Sequence, residues 1–334
     1  MALSAFDHVQ FWASSDLKTW KHLSDFGRDW GAHGGTWECP NLFPMQVEGS
    51  DETRWVLILN LNPGGPQGGS GAQYFVGHFD GRTYSLDPAF ESSLRQEKAV
   101  WLDAGRDNYA GVTWSDIPRE DGRRIFIGWM SNWDYAQQVP TSPWRSAMTL
   151  PRELRLVRTP SGHRVFSQPV RELASLRRTT VLLPSMKVEG RVPLEERLPF
   201  PVTVSEMSIE FALEPGASGR FGVELSNSRG EIYRIGYDPE HDEYFSDRRG
   251  AGDSSFSDKF ADRVHRARRI GDTDTVRMHL VLDVASVELF ADGGATVMTE
   301  VFFPNEDFDR AAFFAEGEEV ELLRGEIHRL ESIW

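Results

Sequence analysis

The sequence predicts a two-part, almost wholly antiparallel β-protein. Short runs of alternating apolar and polar residues recur along the chain, separated by Gly, Pro, Asn and Asp turns. No long 3.6-residue periodicity occurs before about residue 166. One short helical stretch and a Pro-rich segment then interrupt the pattern before alternation resumes. Composition agrees: 334 residues suffice for two domains, and 30 Gly, 18 Pro and 11 Trp suit many strands and turns.

In order, Val9-Gln10-Phe11 reads as a strand leading into the Ser14-Ser15-Asp16 turn. Trp55 to Leu59 is an apolar run of strand length, and a glycine-rich loop from Asn62 to Gly71 separates it from the alternating Tyr74, Val76 and His78. That loop lacks the Gly-Lys-Ser/Thr ending of a phosphate cradle. Ala110–Trp114 and Arg124–Trp129 form the next strand pair, joined by Asp116-Ile117-Pro118 and Asp121-Gly122 turns. Ser146–Leu150 and Leu154–Val157 form another. Antiparallel sheets of this kind fit a propeller or a sandwich equally well. Val170–Leu176, with apolar residues at i, i+3 and i+6 after Pro169, is the only helix expected. Beyond Leu198-Pro199-Phe200-Pro201, alternation at Met207–Leu213, Phe221–Leu225 and Val276–Val284 predicts a β-sandwich, closed by Ile327 to Trp334.

The net charge of −15 argues against a nucleic-acid partner, which would require a basic face. No stretch of about 18 apolar residues suggests a membrane-spanning helix. The single cysteine, Cys39, excludes an intrachain disulfide and a cysteine-based metal cluster; it is expected to be a small buried residue. His33 has no second ligand at metal spacing. Asp242, Glu243 and Asp247 beside Arg248 and Arg249 read as a solvated charged turn.

One stretch suggests chemistry, His33-Gly34-Gly35-Thr36-Trp37-Glu38-Cys39-Pro40-Asn41-Leu42-Phe43-Pro44. With Trp37 as an apolar wall, Pro40 stiffening the backbone, and Leu42 and Phe43 as anchors, Glu38 is expected in a partly dry niche that favours its protonated form and suits a general acid. The alternative is a solvated loop glutamate.

Trp37-Glu38-Cys39-Pro40-Asn41-Leu42-Phe43 resembles the segment that carries the acid/base glutamate of glycoside hydrolase family 32, the fructan and sucrose hydrolases. Asn62-Pro63-Gly64-Gly65-Pro66, Gly68-Gly69-Ser70-Gly71, Gln73–Gly77, Asp107-Asn108-Tyr109-Ala110, Gly128–Tyr135, Pro143-Trp144-Arg145 and Pro151-Arg152-Glu153-Leu154 continue the resemblance. Asp283–Gly293 is similar to the family's second domain. The resemblance implies an all-β fold, a partial five-bladed β-propeller of about three blades over 1–166, a short linker helix at 167–178 and a C-terminal β-sandwich at 179–334. It also implies a retaining fructosidase acting on a fructose-containing oligo- or polysaccharide without a cofactor, with Glu38 as acid/base.

Trp133, in a loop after a strand, is expected to stack on sugar, with Trp37, Asp107 and Tyr109 lining the pocket; for Asp107 and Tyr109 the alternatives are a turn cap and a core residue. Trp129 is expected in the core and Trp144 in a packing role. The family's Asn-Asp-Pro nucleophile segment and Arg-Asp-Pro segment have no match, so the chain reads as N-terminally truncated, catalytically silent and without an assessable export signal, extracellular or cytoplasmic. Asp103, Asp107 and Asp134 are the local acids that could substitute. The competing readings are a non-catalytic fructan-binding protein and, less favoured, a propeller glycosidase of arabinan type.

Overall fold

The computed structural model describes residues 1–333, which divide into two compact units. The first comprises Met1–Asp134 and Ser146–Val170; the second takes in Tyr135–Arg145 and the chain from Arg171 onward. Trp334, expected at the sandwich closure, lies outside the described residues.

Three antiparallel sheets follow one another in the first unit, consistent with three blades. Ala2–Ser4, Val9–Ala13 and Lys21–Phe26 form one, so a short strand precedes the one expected at Val9. Thr36–Gln46, Thr53–Asn62, Gly71–Phe79 and Tyr84–Leu86 form a four-stranded meander in sequence order. Gly71 to Gly77 is buried throughout, because this strand packs on both faces, whereas the alternation had suggested burial on one. The third sheet contains Tyr109–Thr113, Arg124–Met130, Ala147–Met148, Arg152–Thr159 and Gly162–Pro169. Here the expected pairing of Ser146–Leu150 with Leu154–Val157 is corrected. Ala147 and Met148 pair with Met130 and Trp129, while Arg152–Thr159 pairs with Gly162–Pro169 through a tight turn.

A helix not expected from the sequence runs over Pro88–Glu97. Its signal was present. Asp87 caps the N-terminus by accepting from the Ala89 and Phe90 amides, Pro88 opens the first turn, and Phe90 and Leu94 bury one face. Arg54 binds the capping carboxylate at 3.1 Å, and Arg164 binds Glu97 at 2.7 Å, tying both helix ends to strands. The expected helix at Val170–Leu176 is a 3₁₀ helix, Arg171–Leu176, with only Leu173 buried.

In the second unit one strand, Arg310–Leu330, organises an eleven-stranded sheet. Its first part pairs with Phe221–Ser226 and its last part with Ser205–Ala212 and Arg177–Leu183, while Met186–Pro193 follows it across the break. Gly317, at φ 84, sits in that break, where a left-handed residue lets the strand turn from one set of partners to the other. Phe211 packs edge-on against Phe221 and Phe313, at 5.1 and 5.7 Å between ring centroids. The charged turn expected around Asp247 is instead the strand Glu243–Gly250, solvated only in part. Arg249 and Asp247 pair at the surface, but Arg248 is buried, donating to the Tyr135 hydroxyl at 2.9 Å and to the Phe260 and Val301 carbonyls.

Arg152 and Asp103 form a wholly buried ion pair at 2.8 Å in the first unit. Removing one partner of such a pair strands the other charge away from water. Arg152→Met is therefore expected to lower unfolding free energy by about 3 to 5 kcal/mol in chemical denaturation. A midpoint indistinguishable from the parent would show that solvent reaches the pair.

Candidate active site

Glu38 lies near the start of the strand Thr36–Gln46, where the ladder breaks. Glu38 pairs with Asn60 and Asn41 with Ile58, leaving Cys39 and Pro40 together opposite Leu59. Pro40 has no N–H to donate and Cys39 takes a left-handed φ of 48, so the extra residue is accommodated as a bulge. As a result Glu38 and Cys39 both face outward while Trp37 is fully buried.

Three expectations are corrected here. Glu38 is exposed rather than held in a dry niche, because it alternates with the buried Trp37 and so faces outward. Cys39 is exposed rather than buried because the bulge turns it to the same side as Glu38; partial desolvation and the neighbouring Glu38 charge raise its thiol pKa, which opposes a nucleophilic role. Trp37 offers no ring face to a sugar. It donates from Nε1 to the Ala32 carbonyl at 3.0 Å, stacks under His33 and packs on Phe75, supporting the strand from behind.

Tyr109 is buried and donates its phenol proton to Glu38 Oε2. Burial and this bond to the carboxylate hold the phenol pKa well above its usual range, so Tyr109 remains a donor across the working pH of proteins. Asn41, just past the bulge, accepts from the Thr113 amide and hydroxyl at 3.0 and 2.9 Å. These contacts join the Glu38 strand to the strand Tyr109–Thr113.

An aromatic series extends from Tyr109. Its ring stands edge-on to Trp129 at 6.4 Å, and Trp129 packs against Trp133 at 5.0 Å. Trp129 is partly covered and Trp133 is 47% exposed, so the pair forms a shelf with an open outer face. Trp144, expected to pack, is instead exposed in the second unit.

The candidate carboxylates are placed differently. Asp103 accepts from Arg152, Asn108 and the Gly105 amide. Asp134 binds Arg106 at 3.1 Å. Asp107 is wholly buried and has no surface to present to a sugar. The sequence reading missed Arg152, Asn132 and Ser70 as parts of the site's support, although all three stand within the motifs quoted. A cleft of about 740 Å³ in this unit lies elsewhere, lined by Gln46–Asp51, Asp121–Arg124 and Glu153–Leu156. It sits at the far end of the Glu38 strand, roughly 25 Å away at about 3.3 Å per residue.

Known proteins resemble this chain over its whole length. Residues 1–169 match the N-terminal domain model of glycosyl hydrolases family 32, and residues 172–329 match its C-terminal model. A levanase from Bacillus subtilis (strain 168) is 36% identical over 337 residues, covering all of this chain and 48% of the levanase. An extracellular exo-inulinase from Aspergillus ficuum is 34% identical, covering all of this chain and 62% of that protein. The crystal structure of exo-inulinase from Aspergillus awamori superposes with a TM-score of 0.87 at 31% identity, over 98% of this chain and 63% of that one. A fructofuranosidase from Schwanniomyces occidentalis complexed with fructosylnystose gives 0.83 at 27% identity, over 98% and 65%. The chain thus spans about half to two thirds of the length of these relatives. With both domain models matched in order across a propeller-type unit and a β-sandwich, the chain belongs to glycoside hydrolase family 32.

Proposed function

We propose that this protein serves retaining hydrolysis of β-fructofuranosides, with Glu38 as acid/base. The observation that carries the reading is an outward-facing carboxylate, set beside a bulge and gripped by a buried phenol at the foot of a tryptophan shelf. Tyr109 engages one Glu38 oxygen, and the exposed carboxyl can present the other to the glycosidic oxygen. Glu38 would protonate the leaving oxygen and later take a proton from the attacking water, while a second carboxylate carries the fructosyl group between the two steps. Trp133 would stack on a sugar ring, and Tyr109 would hold the acid/base in place. The fructosylnystose bound by the Schwanniomyces relative and the names of the levanase and inulinase relatives support a fructan or sucrose as substrate.

We further propose that residues 1–334 alone supply only the acid/base half. Retention needs a second carboxylate about 5 to 5.5 Å from the first. Asp103 and Asp134 are committed to arginines, and Asp107 is enclosed. These commitments also favour the second reading, a fructan-binding protein without turnover.

The folded chain, confirmed by circular dichroism, is accordingly expected to show no turnover of sucrose, levan or inulin at high enzyme concentration. Turnover abolished by Glu38→Gln would overturn this and assign the nucleophile to Asp103, Asp107 or Asp134. In a form of the protein that does turn over, Glu38→Gln is expected to cost at least about 100-fold in kcat. Retention of more than about a tenth of the parent rate would remove Glu38 from the acid/base role. Trp133→Ala is expected to weaken fructan binding by about 1 to 2 kcal/mol in calorimetric titration with the melting temperature nearly unchanged. Parallel losses of affinity and melting temperature would make Trp133 a packing residue.

A further inference from the structure

Trp133 is exposed, yet the turn that carries it is held from beneath. Asn132, wholly buried, engages both ends of its amide. Its Oδ1 accepts from the Ser70 amide at 3.3 Å and from the Asp134 amide at 3.0 Å. Its Nδ2 donates to the carbonyls of Gly68, Ser70 and Arg106 at 3.1, 3.3 and 2.9 Å, with two hydrogens serving three acceptors. Ser70 completes the connection by accepting from the Trp133 amide through Oγ at 3.2 Å. Asp134, on the other side of Trp133, is held by Arg106.

Three segments meet at this point: the glycine-rich loop between Asn62 and Gly71, the Asp103–Tyr109 loop, and the Ser131–Asp134 turn. The approach is too close for a side chain on Gly69. It has φ +63, and a Cβ there would fall 1.9 Å from Asn132 Oδ1 and 2.8 Å from an Asp134 carboxylate oxygen. This gives the glycine run a specific use: it lets backbone carbonyls reach a buried amide.

We propose that Asn132 and Ser70 are positioning residues for Trp133. They make the glycine-rich loop a frame that fixes the exposed indole as a ready-made platform, so a fructan meets an ordered aromatic face and binding does not have to order the turn first. Tyr109 and Trp129 set the inner side of the shelf, while Ser70 and Asn132 set the backbone from which the outer ring projects. The proposal rests on the reading of Trp133 as a sugar-stacking residue.

Asn132→Ala removes five hydrogen bonds at once and is expected to loosen the whole frame, so the decisive variant is Ser70→Ala, which deletes only the acceptor for the Trp133 amide. Two measurements on residues 1–334 test it. Amide hydrogen exchange at Trp133, read by NMR, is expected to speed about tenfold in Ser70→Ala while exchange in the strand Gly71–Phe79 stays unchanged. Binding of a fructan trisaccharide, followed by tryptophan fluorescence, is expected to weaken about threefold to tenfold with an unchanged melting temperature. Trp133→Ala serves as the reference. If it abolishes the fluorescence response and Ser70→Ala leaves both exchange and affinity at parent values, the positioning role is overturned while the platform reading stands. If Trp133→Ala binds as tightly as the parent, the platform reading fails, and the proposal fails with it. Unchanged Trp133 exchange in Ser70→Ala overturns the frame whatever the sugar does.

Discussion

The buried pair of Asp103 with Arg152 is the constraint on which the site depends. Arg152 stands on a strand of the third sheet and Asp103 opens the loop that leads to Tyr109. Charges this deeply buried persist only with good geometry and additional hydrogen bonds. Asp103 has these, accepting from the Gly105 amide and from Asn108. The pair therefore fixes the loop in one arrangement, and the loop delivers Tyr109 to Glu38. Low exposure makes that arrangement costly to disturb.

Glu38 itself relies on a different device. A regular strand would alternate faces, and burying Trp37 would place Glu38 outward and Cys39 inward. The bulge at Cys39-Pro40 breaks this alternation, leaving two consecutive residues outside. Asn41 then resumes contact with the neighbouring strand through Thr113. The acid/base candidate thus stands on a rigid strand at an irregularity, which combines precise placement with an accessible carboxylate.

The second unit solves a different packing problem. A strand of 21 residues would outrun the partners on any one sheet, and the break at Gly317 allows it to serve two groups of strands in succession. Inside that unit Arg248 replaces bulk solvent with carbonyls and the Tyr135 hydroxyl, and its guanidinium lies 4.0 Å from the centre of the Phe260 ring. The sequence around it, dense in charge, gave no sign that one arginine would turn inward.

The sequence by itself determined the β class, the two-part division of the pattern and the Trp37-Glu38-Cys39-Pro40 segment, because alternation, turn residues and motif words are local properties of the chain. The helix at Pro88–Glu97 was not expected, although Asp87-Pro88 and the Phe90–Leu94 spacing carried its signal. Only the tertiary structure decided which side of each strand faces solvent at a bulge, which of two chemically equivalent carboxylates meets an arginine, and which aromatic rings stay uncovered. Glu38, Asp103 and Asp107 are all acids within the same region of the sequence, yet one is exposed, one is paired with Arg152 and one is enclosed. The partners of Asp103 and Glu38 lie between 2 and 71 residues away along the chain, and burial and electrostatics depend on distance through space, which local sequence does not encode.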